Sequence, residues 1–446
     1  MFVEKAPSVP DLLEKLSGDE ILEALKTTID GAGDGRYLHW DKLKRLEPPT
    51  GLSNEQWWLK VKLARSEELR PIALADPTGA PFSYGLLDTM YRSLHHIDQR
   101  CSGEVAMDEV VTSEKLAGRR FLVNSLMEEA IRSSQLEGAT TSQRAAKEML
   151  KSGRPPKDRS ERMIANNYRA LQFMREEMGE RLSPDSILEL HRIVTEETLE
   201  EPTAAGRLQR PDEERVAVFD RDDGKPIHRP PPAEQLPERV QLMCDFANQG
   251  EEEEPFIHPV IRAVLLHFWL AYDHPFIDGN GRTARILFFW LMRARGYWLA
   301  EYLPISRFIR DAPAQYARAF MEVETDGGDT TYFLIHQLQV IERAIDDLHG
   351  YLQRKVAVVR NMERLVQDTD YLNGRQLALL RDAIRHPELA LSFESHANNH
   401  RVSHETARTD LHQLVQRGLL TQRRKGRKHI FEAAADLPER LKESAV

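Results

Sequence analysis

Within residues 274–285 the run His-Pro-Phe-Ile-Asp-Gly-Asn-Gly-Arg-Thr-Ala-Arg gathers a base, a carboxylate, two glycines and two guanidinium groups. His274 has a side chain that can take a proton near neutral pH. Gly279 and Gly281 let backbone N–H groups turn toward a ligand. Arg282 and Arg285 lie three residues apart and share one face of a helix. Guanidinium groups match the oxygens of phosphate. Asp278 offers a hard oxygen for Mg2+, the ion that accompanies a nucleotide. The set can bind phosphate and remove a proton beside it. The simpler alternative is a glycine turn between two core helices with solvated arginines.

Two helices must position these groups. Upstream, His258 to Asp273 places Val260, Ile261, Val264, Leu265, Phe268, Trp269 and Tyr272 at helical spacing, and downstream Ile286 to Arg295 is apolar again, with Gly296 as a stop. Pro275 closes the first helix, because the residue before a proline is pushed out of the α region. The glycines then sit just before a helix N-terminus, where unpaired N–H groups and the helix dipole favour an anion. His274 sits at a helix C-terminal end, whose partial negative charge favours imidazolium. A neighbouring group is therefore needed to keep it neutral.

The stretch resembles the motif of the Fic family, His-Pro-Phe-x-Asp/Glu-Gly-Asn-Gly-Arg-x-x-Arg, at every fixed position. The resemblance implies transfer of AMP from ATP to a Ser, Thr or Tyr hydroxyl of a protein, or of the chain itself. It implies His274 as general base, Mg2+ on Asp278, and ATP held by Gly279, Asn280, Gly281, Arg282 and Arg285. By the same carry-over Asn280 meets the α-phosphate region, Arg282 the β- and Arg285 the γ-phosphate, while Phe276 anchors the loop in the core. A relative with Lys in the loop transfers phosphate instead; Gly281 here argues for AMP.

A second stretch, Ser133-Ser134-Gln135-Leu136-Glu137-Gly138, ends a helical pattern that starts at Ser113. It is similar to the family's inhibitory motif, Ser/Thr-x-x-x-Glu-Gly/Asn, with Ser133, Glu137 and Gly138 at the fixed positions. On its own, Gly138 could be a helix-ending glycine after an exposed glutamate. The resemblance implies that Glu137 pairs with Arg285 and takes the group meant for the γ-phosphate. Some relatives also remove AMP, using this glutamate to position water, and Glu137 keeps that route open.

The 446-residue chain is long enough for about three domains. A net charge of −10 does not suggest general nucleic-acid or membrane binding, though one region can still be basic. Cys101 and Cys244 are the only cysteines and lie far apart in sequence, so no disulfide framework or cysteine-based zinc site is indicated, which suits a reducing cytosol. No basic-then-apolar leader and no membrane-length apolar run is apparent, so the expected location is cytoplasmic.

The expected fold is mainly α: a Fic helical bundle with a β-hairpin flap, an N-terminal helical module and a C-terminal winged helix-turn-helix. The expected boundaries are 1–110 for the module, 111–368 for the Fic domain with inhibitory helix 113–138 and flap 205–230, and 369–446 for the winged helix. In the module, Ile21, Leu22, Leu25 and Ile29 form a short helical pattern before a breaker at Gly31 to Gly35, and Trp40, Trp57, Trp58, Tyr91, Leu94 and Ile97 can supply a core. Residues 139–182 pass through a loop at Ser152-Gly153-Arg154-Pro155-Pro156 into a helix from Arg159 to Met178, and Ser183-Pro184 reads as the start of the next. Val216 to Phe219, with a turn at Asp223-Gly224, reads as the flap, which in the family holds the target segment by strand pairing. Glu251 to Glu254 is a solvated charge run. Helices follow over Ala312 to Glu324 and Thr331 to Asp368, with a turn at residues 325–329. His258, His267 and His274 invite zinc, but their spacing fits no common signature, and His267 reads as a satisfied helix histidine.

Near the C-terminus, Arg375 to Ile384 and Ser403 to Arg417 read as helices, followed by a wing turning at Lys425-Gly426. Between Arg401 and Phe431, eight Lys/Arg against two acids give +6 on an acidic chain. His404, Arg408 and His412 are expected opposite the core, with Arg423 and Arg424 on the wing, as DNA contacts. Protein contact or pairing with a second copy of the chain is the other reading of this region, and a DNA-binding regulator with a sensing Fic domain is the rival for the whole chain.

Overall fold

The computed structural model describes residues 3–27, 36–101, 115–215, 218–219, 226–250, 252–367, 372–385, 391–400, 402–425, 428–434, 436–437 and 440. The chain divides into two compact units, one of residues 1–105 and 122–346, the other of 106–121 and 347–446.

In chain order the first unit opens with α1 (Val9–Lys15), α2 (Gly18–Lys26), α3 (Trp40–Leu43) and α4 (Asn54–Ser66). Ser8, Ser17 and Ser53 cap α1, α2 and α4 with reciprocal capping boxes. Their core is Leu12, Trp40, Leu43, Trp57, Trp58 and Val61, so the expected tryptophans do supply it. A hairpin, β1 (Arg70–Ala75) with β2 (Pro81–Tyr84), and α5 (Asp88–Cys101) follow. Leu94 and Ile97 are buried, but Tyr91 is half exposed and belongs to no core. The breaker at 31–35 and the pattern's end at Ile29 lie outside the described residues. The N-terminal elements bind closely to the later helices: Ala6 N–H donates to Thr325 O (2.8 Å), and Arg65 donates to the Tyr332 hydroxyl (2.8 Å).

Next come α6 (Lys115–Leu136), α7 (Gln143–Ser152), α8 (Arg159–Glu176) and α9 (Pro184–Thr195). Position 113, where the inhibitory helix was expected to begin, is outside the described residues. Helix α7, which the sequence reading did not assign, is fixed by Ser142 at its N-cap and by left-handed Gly153 at its end, where the expected loop from Ser152 to Pro156 begins. Ser183 and Pro184 start α9 as expected. Strands β3 (Val218–Phe219) and β4 (Pro226–His228) pair antiparallel, Val218 opposite His228. The Asp223-Gly224 turn lies outside the described residues.

Helix α10 (Leu236–Asn248) leads to the central pair, α11 (Pro259–Asp273) and α12 (Asn280–Ala294). Both are buried almost all round, as their apolar composition requires. Then come α13 (Ile305–Asp311), α14 (Pro313–Thr325) and α15 (Thr331–Gln367). Phe268, Phe320 and Phe333 lock α11, α14 and α15 together, with ring centroids 4.6–5.2 Å apart.

The second unit contains α16 (Gly374–Arg385), α17 (Phe393–His400), α18 (His404–Gln416) and a hairpin of β5 (Leu420–Lys425) with β6 (Lys428–Ala433). Leu379, Leu380, Leu411, Leu414, Leu419 and Phe431 form its core. The sequence reading missed α17. Gly426 at the expected hairpin turn is outside the described residues. No helix among the described residues is long and apolar enough to cross a membrane.

Candidate active site

The loop from His274 to Gly279 joins two buried helices, and its path is fixed by neighbours on several elements. His274 ends α11 in the left-handed region, at φ 45° and ψ 53°. Non-glycine residues seldom adopt that conformation unless their surroundings enforce it. Arg215 Nη2 donates to the carbonyls of Asp273 (2.7 Å) and His274 (3.2 Å), and Gln209 N–H donates to Pro275 O (2.9 Å). Asn280 spans the loop, accepting from Phe276 N–H (2.9 Å) and donating to Phe276 O (2.8 Å). Its amide therefore braces the loop, beside any part it plays with a phosphate.

His191, on α9, holds the loop from beneath. Its ring stacks on Phe276 with centroids 3.7 Å apart and planes 4° apart. Gly206 N–H donates to Nδ1 (3.0 Å), which puts the ring proton on Nε2, and Nε2 donates to Asp278 O (2.9 Å). Burial pushes this imidazole down to about 4, so the neutral form is the stable one. Gly279 adopts φ 87°, and a Cβ there would stand 2.7 Å from Thr195 Cγ2, so only glycine fits.

His274 places Nδ1 3.4 Å from Ala271 O, a long contact that favours a proton on Nδ1 and leaves the Nε2 lone pair able to accept one. Its half-buried ring is pushed down to about 4, first by burial and then by His228. The sequence raised the opposite concern, that a helix C-terminus would hold this imidazole charged; the packing around the ring outweighs that pull.

Helix α12 begins at Asn280 with Gly279 as N-cap and no capping side chain. The space above this N-terminus belongs to Glu137. A Cβ at Gly281 would meet Glu137 Oε1 at 2.2 Å. Arg285, itself buried, donates from Nη2 to Glu137 Oε1 (2.7 Å), and clasps Ser133 through Nε to Oγ (2.9 Å) and Nη2 to O (3.1 Å). Gly138 follows with φ 96°, ending α6.

Residues 181–292 match the model of the Fic/DOC family. This stretch is similar to a Fic domain. It is 30% identical over 192 residues to protein adenylyltransferase Fic of Nematostella vectensis, covering 43% of this chain and 39% of that protein. It is 32% identical over 169 residues to protein adenylyltransferase fic-1 of Caenorhabditis elegans, covering 36% and 30% respectively. The chain thus spans less than two fifths of either relative. A Fic family protein from Desulfovibrio desulfuricans G20 shares the fold at a TM-score of 0.50 and 17% identity, over 77% of this chain and 96% of that one.

Within the matched residues, Arg282 is fully buried under the loop. It donates to Val194 O (3.2 Å) and Asp278 Oδ1 (3.3 Å), and its Nε is buried without a hydrogen-bond partner. The Asp278 carboxylate, 37% exposed, also accepts from Gly279 N–H (2.5 Å) and faces Arg159 at 3.5 Å. Among the described residues no three His, Cys, Asp or Glu side chains converge as a metal cage. One accessible carboxylate still fits a Mg2+ that brings its other ligands on nucleotide phosphates. His258 caps α11 and contacts Asp98 (3.1 Å), while His267 contacts the Tyr316 hydroxyl (2.9 Å).

The sequence reading missed His191, Arg215 and Glu129. The buried Glu129 carboxylate, one turn before Ser133, accepts from Ser306 N–H (3.0 Å) and from the Ser306 hydroxyl, which ties α6 to α13. In the second unit His404 and Arg408 are exposed on α18, and Arg423 and Arg424 on β5. Arg423 lies 3.5 Å from Glu432. His412 does not stand opposite the core as expected: it is half-buried, its ring 5.5 Å from Phe393.

Proposed function

We propose that the chain is a protein adenylyltransferase held inactive by its own Glu137. The observation that carries this reading is the Glu137–Arg285–Ser133 clasp over the N-terminus of α12, beside a neutral His274. In the transfer, a target hydroxyl attacks the α-phosphorus of ATP and its proton passes to His274 Nε2. A bond forms between the hydroxyl oxygen and phosphorus, the bond to the bridging oxygen breaks, and pyrophosphate leaves. Backbone N–H groups at the start of α12, with Arg282 and Arg285, stabilise its growing charge. Mg2+ on Asp278, when bound with ATP, neutralises phosphate charge. With Glu137 in place, Arg285 is engaged and the γ-phosphate loses its partner.

The test compares wild type, Glu137→Gly, and Glu137→Gly with His274→Ala, each given ATP labelled at the α- or the γ-phosphate and lysate protein. Label from the α-phosphate alone, released by Glu137→Gly and abolished by His274→Ala, supports the reading. No α-label in any sample refutes it.

For the second unit we infer DNA contact through His404, Arg408, Arg423 and Arg424, supported by their exposure and the local basic charge. A duplex shift that weakens with salt and is lost on deleting residues 370–446 tests it; binding that survives the deletion refutes it.

A further inference from the structure

The last carbonyls of a helix have no partners within it and carry partial negative charge. At the end of α11 those carbonyls adjoin the base. Two side chains from the hairpin segment answer them. His228, in β4, brings Nε2 to 2.6 Å from Tyr272 O. Arg215, ahead of β3, donates to Asp273 O and His274 O, and its Nε donates to Pro231 O (2.8 Å).

His228 has a second partner. Its Nδ1 lies 2.9 Å from Glu324 Oε2, on α14. A backbone carbonyl and a carboxylate are both acceptors only, so both bonds form together when the ring carries two protons. The ring is buried, and Glu324 supplies the opposite charge.

We propose that His228 and Arg215 are positioning residues for the transfer, capping α11 from the hairpin and keeping the His274 imidazole neutral by placing positive charge beside it. This rests on the proposed role of His274 as base. Among the described residues, the charged groups acting most on His274 are His228 and Arg215 from the hairpin segment and Glu137 from the end of α6. Glu137 pulls the other way, but Arg285 pairs with it. The neighbouring Asp273 carboxylate is taken by Arg239 (2.6 Å) and Trp269 (2.9 Å). Burial lowers the proton affinity of His274 most, and His228 adds to it in the same direction. The bonds from Arg215 also hold the left-handed backbone at His274, so the same contacts fix where the base stands and which form it takes.

The experiment follows the His274 imidazole nitrogens by NMR during a pH titration of the full chain, assigning the signal by its loss in His274→Ala. His228→Gln keeps a donor for Tyr272 O but no charge, Arg215→Met removes both, and His228→Lys keeps charge. The expected result is an upward shift of the His274 midpoint in His228→Gln and Arg215→Met, with His228→Lys close to wild type. An unchanged midpoint in both neutral variants, or an equal rise in His228→Lys, overturns the proposal. On a Glu137→Gly background the acid limb of AMP transfer should move up in parallel. A shifted midpoint without AMP transfer in any variant supports the capping and overturns the transfer reading instead.

Discussion

The Glu137 carboxylate and Gly281 share one space: a Cβ on Gly281 would come within 2.2 Å of Glu137 Oε1. Glu137 thus sits at the helix N-terminus where an anion is favoured, while also pairing with Arg285. On the proposed reading, one carboxylate occupies two parts of the phosphate site. A charge-assisted hydrogen bond contributes about 1.5–3 kcal/mol. Glu137→Gly should therefore tighten ATP binding by about 10- to 100-fold, measured by calorimetry with Mg2+ present. Binding no tighter than wild type would remove the basis for the brake.

The same contact predicts coupling between residues 137 and 281. Gly281→Ala in the wild type must displace Glu137, whereas in Glu137→Gly the added methyl loses its main obstacle. The stability cost of Gly281→Ala should shrink in the double variant, giving a non-additive cycle of about 1 kcal/mol. Gly279→Ala behaves differently, because φ 87° and the Thr195 methyl oppose it in either background. It should cost about 1–3 kcal/mol in both. Thermal unfolding of the four proteins decides between additive and coupled behaviour.

What was legible in the sequence follows from how far each signal reaches. The motif loop and α11–α12 could be read because their chemistry and periodicity are local: Pro275 stops one helix, and Gly279 starts the next. The partnership of Glu137 with Arg285, 148 residues apart, came only through a resemblance, since spacing alone cannot bring them together. His191 and Arg215 were missed for the same reason. Each lies well outside the motif, and its role appears only when α9 and the hairpin segment fold against the loop. Helix α7 was missed although its caps, Ser142 and Gly153, were present, because its few buried side chains give little apolar signal. His412 went wrong by helical phase: it lies one residue past Leu411, close enough to the apolar stripe for Phe393 to cover it.

Glu129 predicts a pH dependence in α6. Burial pushes its carboxyl up to about 7, against the pull of the two Ser306 donors. A folded-state value raised above the ordinary 4.5 means the protonated form is the better fit. Its contribution to stability is complete below about 4.5 and is lost as pH rises through about 7. Glu129→Gln does not titrate. The melting temperature of wild type relative to Glu129→Gln should therefore fall between pH 4.5 and pH 7 and level off above. A constant difference across that range would mean Glu129 stays ionised in the fold.

His191 offers the clearest separation of packing from positioning in this site. His191→Phe can keep the stack on Phe276 but leaves Gly206 N–H and Asp278 O without their partner. A buried group stripped of its hydrogen bond costs about 1–3 kcal/mol, so His191→Phe should be destabilised by that order. The loop carbonyl at Asp278 is then free to shift, and with it the distance from His274 to the α-phosphorus. Small misplacement of a reacting group can lower a rate by about 100-fold without changing binding in proportion. On a Glu137→Gly background, His191→Phe should therefore lower kcat well beyond any rise in KM for ATP. His191→Ala, which loses the stack as well, should be less stable than His191→Phe but no slower per folded molecule. Equal losses in kcat and ATP affinity for His191→Phe would instead make His191 a residue of the fold alone.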